Sequence, residues 1–162
     1  MKGKLAADSR AVYARGQLAL WVPEGDKAGV KELKDLAHPA IRFISIAQPK
    51  LAPYGEAAVE TLKSAGLWDS LQPKIVYGSD IRMARQYADT GNANAAFTAY
   101  SLVLKDRGTV IKVDPKLYQP IEQALGVIAD SKQPAAARRF TAFLLGPEGQ
   151  AILSGNGYLS PK

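Results

Sequence analysis

Residues able to do acid–base or nucleophilic chemistry are few here. His38 is the only histidine of 162 residues, cysteine is absent, and His38 ends a predicted helix directly before Pro39. A zinc site needs several His or Cys ligands, so one imidazole without a thiolate does not build one. A Ser-His-Asp triad would have to use the same His38, and no G-x-S-x-G elbow accompanies it. His38 therefore reads as a surface residue at a helix end. Asp8 with Glu24 and Glu56 with Glu60 are the acidic pairs to weigh. Glu56 and Glu60 stand at i and i+4 on one helix, a spacing that suits a solvated face better than an acid–base couple. Neither a P-loop nor a G-x-G-x-x-G run occurs. These absences point away from an enzyme.

What remains is the chemistry of the backbone. Two strand-to-helix turns stand out: "LAPYG", which enters its helix at Tyr54, and "GSDI", which enters its helix at Ile81. The first-turn amides of a helix have no internal partners, and the aligned peptide dipoles add a partial positive charge. Open α/β sheets bind ligands at the carboxyl ends of their strands. Two helix starts meeting at that edge would make an anion site without any Lys or Arg. Ser79 or Asp80 capping its own helix accounts for the second turn equally well when each turn is taken separately.

The elements that would carry these turns alternate. "GQLALWVPEG" (16–25) reads as a strand ending in a turn, and "GVKELKDLAHP" (29–39) as a helix stopped by Pro39. "IRFISIAQP" (41–49) suits a strand buried on both faces. The following helix carries Ala58, Val59, Leu62 and Ala65 as its inner stripe and stops at Gly66. Ile75–Tyr77 is a strand, Ile81–Thr90 a helix and Ala95–Ala99 a second buried strand. Strands follow at 108–115 and 122–130. Two apolar helices broken at Gly146-Pro147 end the chain, with Phe140, Phe143, Leu144 and Ile152 along one side. The pattern predicts an α/β fold with a largely parallel sheet. The last helical pair follows the final strand and precedes none, so it lacks an obvious partner.

Composition narrows the function further. With 47% apolar residues the chain can bury one good core or two small ones. No apolar run is long enough to span a membrane, and no apolar h-region follows the basic residues of "MKGKLAADSR". The net charge of +6 is spread over isolated pairs, Lys2/Lys4, Arg82/Arg85 and Arg138/Arg139. No aromatic-plus-basic platform or reading-helix motif supports nucleic-acid binding.

"PKLAPYGEAAVETLKSAGLWDSL", "KIVYGSDIRMARQYADTGNANAAFTAYS" and "YQPIEQALGVIADSKQPAAARRFTAFLLGPEGQAILSGNGYLSP" together resemble the periplasmic molybdate-binding proteins, the substrate receptors of bacterial molybdate ABC transporters. The resemblance runs from Arg10 to Pro161. It rests chiefly on A-P-Y-G, the G-L-W that follows, the second turn with its G-N-A, and the terminal G-Y-x-x-P. It implies a type II periplasmic-binding fold in which two α/β lobes hold a tetrahedral oxyanion, molybdate or tungstate, through neutral donors and without a cofactor. An ABC transporter permease would be the partner. Carried over by position, the second-lobe donors are the backbone N–H groups of Tyr54 and Ile81. Pro53, Gly55, Ser79, Asp80, Ala99 and Tyr100 would line the wall. Some members add a tyrosine hydroxyl from the buried strand. The matching residue here is Ala99, and strand alternation would turn Tyr100 the other way.

The same resemblance assigns 1–14 to a first-lobe remnant, 15–25 to a crossover strand, 26–117 to a complete second lobe, 118–129 to the return crossover and 130–162 to helices of the first lobe. On this view the opening part of the first lobe and its signal peptide are missing. The full-length protein would be periplasmic, and the chain alone would bind molybdate weakly or not at all. The Phe140/Phe143/Leu144/Ile152 face would then seek a partner, through self-association of 130–162. A receptor for another oxyanion such as sulfate, or the effector domain of a LysR-type regulator, are the alternatives. The latter would carry a helix-turn-helix ahead of the domain, and residues 1–15 contain nothing like one.

Overall fold

The computed structural model describes residues 4–25 and 28–161; Lys2 and the first two residues of the expected 26–117 segment lie outside them. Along the chain run β1 (Ala11–Gly16), β2 (Leu18–Val22), β3 (Ile44–Ala47), α1 (Pro53–Ser64), α2 (Trp68–Leu71), β4 (Ile75–Gly78) and α3 (Ile81–Asp89). β5 (Ala95–Ala99), α4 (Tyr100–Val103), β6 (Thr109–Lys112), β7 (Ile121–Leu125), α5 (Pro134–Leu145) and α6 (Pro147–Gly155) follow. The chain divides into two units, Met1–Gly16 with Glu122–Lys162, and Gln17–Ile121.

In the 17–121 unit five strands form one sheet in the order β4-β3-β5-β2-β6. β3 is parallel to β4 and to β5, whereas β2 is antiparallel to β5 and β6. The sheet is therefore mixed, not largely parallel. Hydrophobic patterning does not reveal this, because a strand buried on both faces reads the same in either direction, and β2 is buried at all five positions. Alternation then sorts the side chains onto two faces. Leu18, Leu20, Ile44, Ile46, Ala95 and Phe97 pack on one side with Tyr54, Ala57, Ala58 and Leu62 of α1. Ala19, Trp21 and Ala96 pack on the other with Ala88 of α3. Each large aliphatic or aromatic side chain buried this way contributes ~1.5–3 kcal/mol. Two polar groups face α3 and are satisfied. Ser45 Oγ donates to the carbonyls of Ala84 (2.6 Å) and Ala95 (3.2 Å), and Thr98 Oγ1 donates to that of Ile81 (3.4 Å).

Three local expectations need correction. The 29–39 helix shrinks to a 3-10 turn at Leu33–Ala37, because Asp35 and Glu32 close a capping box at its start. The buried stripe of α1 is Tyr54, Gly55, Ala57, Ala58, Thr61 and Leu62; Val59 is half-buried and Ala65 exposed. The stripe keeps its 3.6-residue period but is rotated, and it includes Thr61, which a search for apolar residues passes over. The 16–25 strand splits at Gln17 into β1 and β2, which belong to different sheets. Gly66 does end α1 as expected, with φ +68 and the Leu67 N–H donating to Leu62 O at 2.8 Å.

In the other unit β1 pairs with β7. Antiparallel bridges join Leu5 to Ile128 and Arg15 to Leu159. Gln150 Nε2 donates to Tyr13 O (2.9 Å) and Leu144 O (2.7 Å), tying the start of α6 to β1 and to the end of α5. α5 buries none of its residues, and Phe140, Phe143 and Ile152 are all exposed.

Candidate functional site

The carboxyl edge of the parallel strands collects the residues singled out from the sequence. Register pairs Ala47 of β3 with Gly78 of β4, and the Gln48 N–H donates to Gly78 O at 2.8 Å just beyond. The turns entering α1 and α3 therefore leave the sheet side by side. β5 joins the same edge, because its register with β3 begins at Ile44–Ala95 and it ends at Ala99. α1 packs against one face of the sheet and Ala88 of α3 against the other, while Ile81 at the start of α3 packs with the α1-side cluster. Pro53, Tyr54, Gly55, Ser79, Asp80, Ile81 and Ala99 thus lie along one strand edge.

The two helix starts differ chemically. At α1 the N-cap is Ala52, which has no side-chain acceptor, and Pro53 at the first position has no N–H to offer. Tyr54 consequently supplies the first amide of the helix. Its side chain is 9% exposed and packs in the core, while the Gly55 and Glu56 N–H groups both turn back to Ala52 O. At α3 the Asp80 carboxylate caps its own helix, with Oδ1 accepting from the N–H groups of Arg82 (2.8 Å) and Met83 (2.9 Å). The Ser79 N–H donates to Met83 Sδ at 3.3 Å. Asp80 takes the second and third amides of α3 and leaves that of Ile81 outside its pair of bonds.

Ala99 and Tyr100 face opposite ways. Ala99 is buried in the cluster on the α1 side, whereas Tyr100 opens α4 and packs against the cluster on the α3 side. The Lys112 ammonium lies 4.2 Å from the Tyr100 ring centroid, within cation–π range. The Tyr100 phenol is therefore turned away from the Ala99 face.

Several groups read as unremarkable in the sequence take structural roles. His38 is exposed, with Nδ1 accepting the Ala40 N–H at 3.1 Å. Glu60 Oε2 accepts the Gln119 N–H at 2.7 Å, so it holds a loop as well as facing water. Tyr118 Oη accepts the Leu18 N–H at 3.1 Å, and burial pushes its phenol above the ordinary value of 10. A cavity of about 130 Å³ adjoins α1, lined by Pro53, Glu56, Ala57, Glu60 and residues 119–121. Its two carboxylates make it a poor seat for an anion. Among the described residues no group of three or more His, Cys, Asp or Glu converges on a metal position.

Sequence reasoning missed how closely the two turns approach the main chain beneath them. A Cβ on Gly55 would land on the carbonyl oxygen of Ala47, and one on Gly78 would lie 2.6 Å from the Ala84 nitrogen. Only the glycines themselves signalled this.

An α/β sheet flanked by helices on both faces, with helix starts gathered at its carboxyl edge, is an arrangement at which open sheets of this kind bind small ligands. The chain belongs to the bacterial extracellular solute-binding protein family, whose sequence pattern matches residues 1–159. It is 36% identical to the molybdate-binding protein ModA of Rhodobacter capsulatus over 98% of its own length and 63% of that protein. It is also 36% identical to ModA of Azotobacter vinelandii, over 97% of this chain and 64% of that one. The solved A. vinelandii periplasmic molybdate-binding protein superposes with a TM-score of 0.88 at 30% identity, covering 99% of this chain and 72% of that structure. The chain thus spans a little under two thirds of the length of these two sequence relatives.

Proposed function

We propose that this chain serves as the substrate-binding component of a periplasmic ABC transporter and captures molybdate or tungstate as the bare oxyanion, with a transporter permease as its partner. The observation that carries this is the pair of helix starts on adjoining parallel strands, in a chain 36% identical to two molybdate-binding proteins. The Tyr54 and Ile81 N–H groups donate to the oxyanion. Pro53, Gly55, Ser79, Asp80 and Ala99 shape the wall, and Tyr100 stands beyond it. A dianion held by oriented amides and helix dipoles needs no Lys or Arg countercharge. Capture of this kind uses no nucleophile and no general base, so the chain binds and does not catalyse. The division of the chain at Gly16/Gln17 and Ile121/Glu122 supports assigning 1–14 and 130–162 to one lobe and 26–117 to the other, with 15–25 and 118–129 as crossovers.

Titration of the 162-residue chain with sodium molybdate, followed through its backbone amide resonances, tests the oxyanion assignment. Millimolar affinity corresponds to only about 4 kcal/mol, so resonance shifts suit it better than calorimetry. Movement of the Tyr54 and Ile81 amides is expected. Their indifference to molybdate and tungstate would overturn the assignment, and an equal response to sulfate would make the chain a general oxyanion receptor.

Self-association through 130–162 is part of the same proposal, with a second copy covering the exposed Phe140, Phe143 and Ile152. A dimer mass by light scattering is expected, and a monomer throughout the micromolar range would exclude it.

A further inference from the structure

Building on the oxyanion assignment above, we infer that Gly55 and Gly78 are positioning residues that act through the Tyr54 and Ile81 amides and set which oxyanion the chain prefers. Neither glycine has left-handed backbone, so conformational freedom does not account for them. Gly55 also lies inside α1, where glycine costs ~1 kcal/mol relative to alanine. Space accounts for both. A Cβ on Gly55 would fall on Ala47 O, with Ala47 C at 2.8 Å and Gln48 C at 3.2 Å. A Cβ on Gly78 would meet Ala84 N at 2.6 Å, Ala84 Cα at 3.1 Å and Asp80 O at 3.1 Å.

Every obstructing atom is main chain, which has no rotamer to yield. Any larger residue must therefore move the helix start itself. At α1 the shift carries the Tyr54 amide, one residue before Gly55. At α3 it carries the Ile81 amide, which lies between the Asp80 carbonyl and Ala84 that a Gly78 side chain would strike. Molybdate and sulfate share charge and tetrahedral shape and differ in size, so donors can tell them apart only if their spacing is fixed. Helix amides clamped to strand ends meet that need, since one cannot re-aim without the other atoms of its turn. Gly66, at the far end of α1, is the natural contrast: its φ is +68 and nothing lies within 4 Å of a built Cβ. Substitution there strains the same helix without pressing on its start.

The test compares wild type, Gly55→Ala, Gly78→Ala and Gly66→Ala as full chains. Each is titrated with sodium molybdate and with sodium sulfate, and the Tyr54 and Ile81 amide resonances are followed. The wild-type response should favour molybdate, and Gly55→Ala or Gly78→Ala should cut the molybdate-to-sulfate preference by ~10-fold, one power of ten in relative affinity. Gly66→Ala should melt at lower temperature with its preference intact. Either glycine variant suffices if the other fails to fold. A folded Gly55→Ala or Gly78→Ala chain with wild-type preference overturns the inference. So does loss of fold in both while Gly66→Ala folds, because the glycines would then serve packing alone. A wild-type chain whose amides ignore both anions overturns the oxyanion assignment instead, an outcome read before any variant is made.

Discussion

The starts of α1 and α3 sit at one sheet edge yet end their helices in opposite ways. α3 is closed by a carboxylate of its own, since Asp80 accepts two first-turn amides. α1 has an alanine where that carboxylate would be, a proline that removes one donor, and a buried tyrosine that supplies the next. The longer helix, with twelve residues of aligned dipoles behind it, is the one without a side-chain cap. α2, α4, α5 and α6 lack a side-chain cap as well, so α3 is the exception. The difference between the two starts is one of chemistry: α3 has two first-turn amides closed by its own side chain, and α1 has no side-chain cap.

Substitutions can break or sharpen that contrast. The largest effect is expected for Gly55→Ala, which forces α1 off Ala47 and costs ~1–3 kcal/mol, as overpacking does. Denaturant unfolding would measure it alongside the lost preference for molybdate. Asp80→Ala should cost ~1 kcal/mol by uncapping α3. Hydrogen exchange should then speed up at Arg82 and Met83 and stay unchanged in α1. Tyr118→Phe leaves the buried Leu18 N–H without its acceptor on the α1 side of the sheet, a loss of ~1 kcal/mol. Burial raises the Tyr118 pKa above 10, so its contribution is present below pH 10 and lost as pH rises through the folded value. The stability gap between wild type and Tyr118→Phe should therefore narrow above pH 10. The smallest change is expected for Ala52→Asp, which gives α1 the cap that α3 already has. It should stabilise the chain by ~0.5–1 kcal/mol while weakening the Tyr54 response to molybdate. Stabilisation with an unchanged response would erase the distinction between the two starts.

Much of the sheet was legible in the sequence because its signals are local. The apolar runs at 44–47, 75–77 and 95–99 and the helices beginning at Pro53 and Ile81 appear where spacing, prolines and glycines put them. The errors fall where a specific contact, and not periodicity, decides. The 29–39 segment has helical spacing, but Asp35 folds back onto the Lys31 and Glu32 amides and shortens it to five residues. The rotated face of α1, with Thr61 inside, follows from pressing its first turn onto β3. Of the candidate site, the two turns could be named from sequence, whereas the choice of the Tyr54 and Ile81 amides follows from the resemblance alone. The sequence offered Ser79 or Asp80 as the cap of α3, and the structure gives the role to Asp80.

Sequence alone determined the local vocabulary: short buried strands, two glycine-marked turns, and a single histidine with no cysteine beside it. Such features depend on residues within a few positions of one another, and period and capping chemistry report them directly. Tertiary structure alone decided that β2 runs antiparallel between β5 and β6, that Gly55 and Gly78 press on main-chain atoms, and that both helix starts reach one edge. These depend on strand order and on contacts between segments far apart in the chain. A strand buried on both faces has no direction in its pattern, and a glycine does not announce which atom fills the space its side chain would have taken.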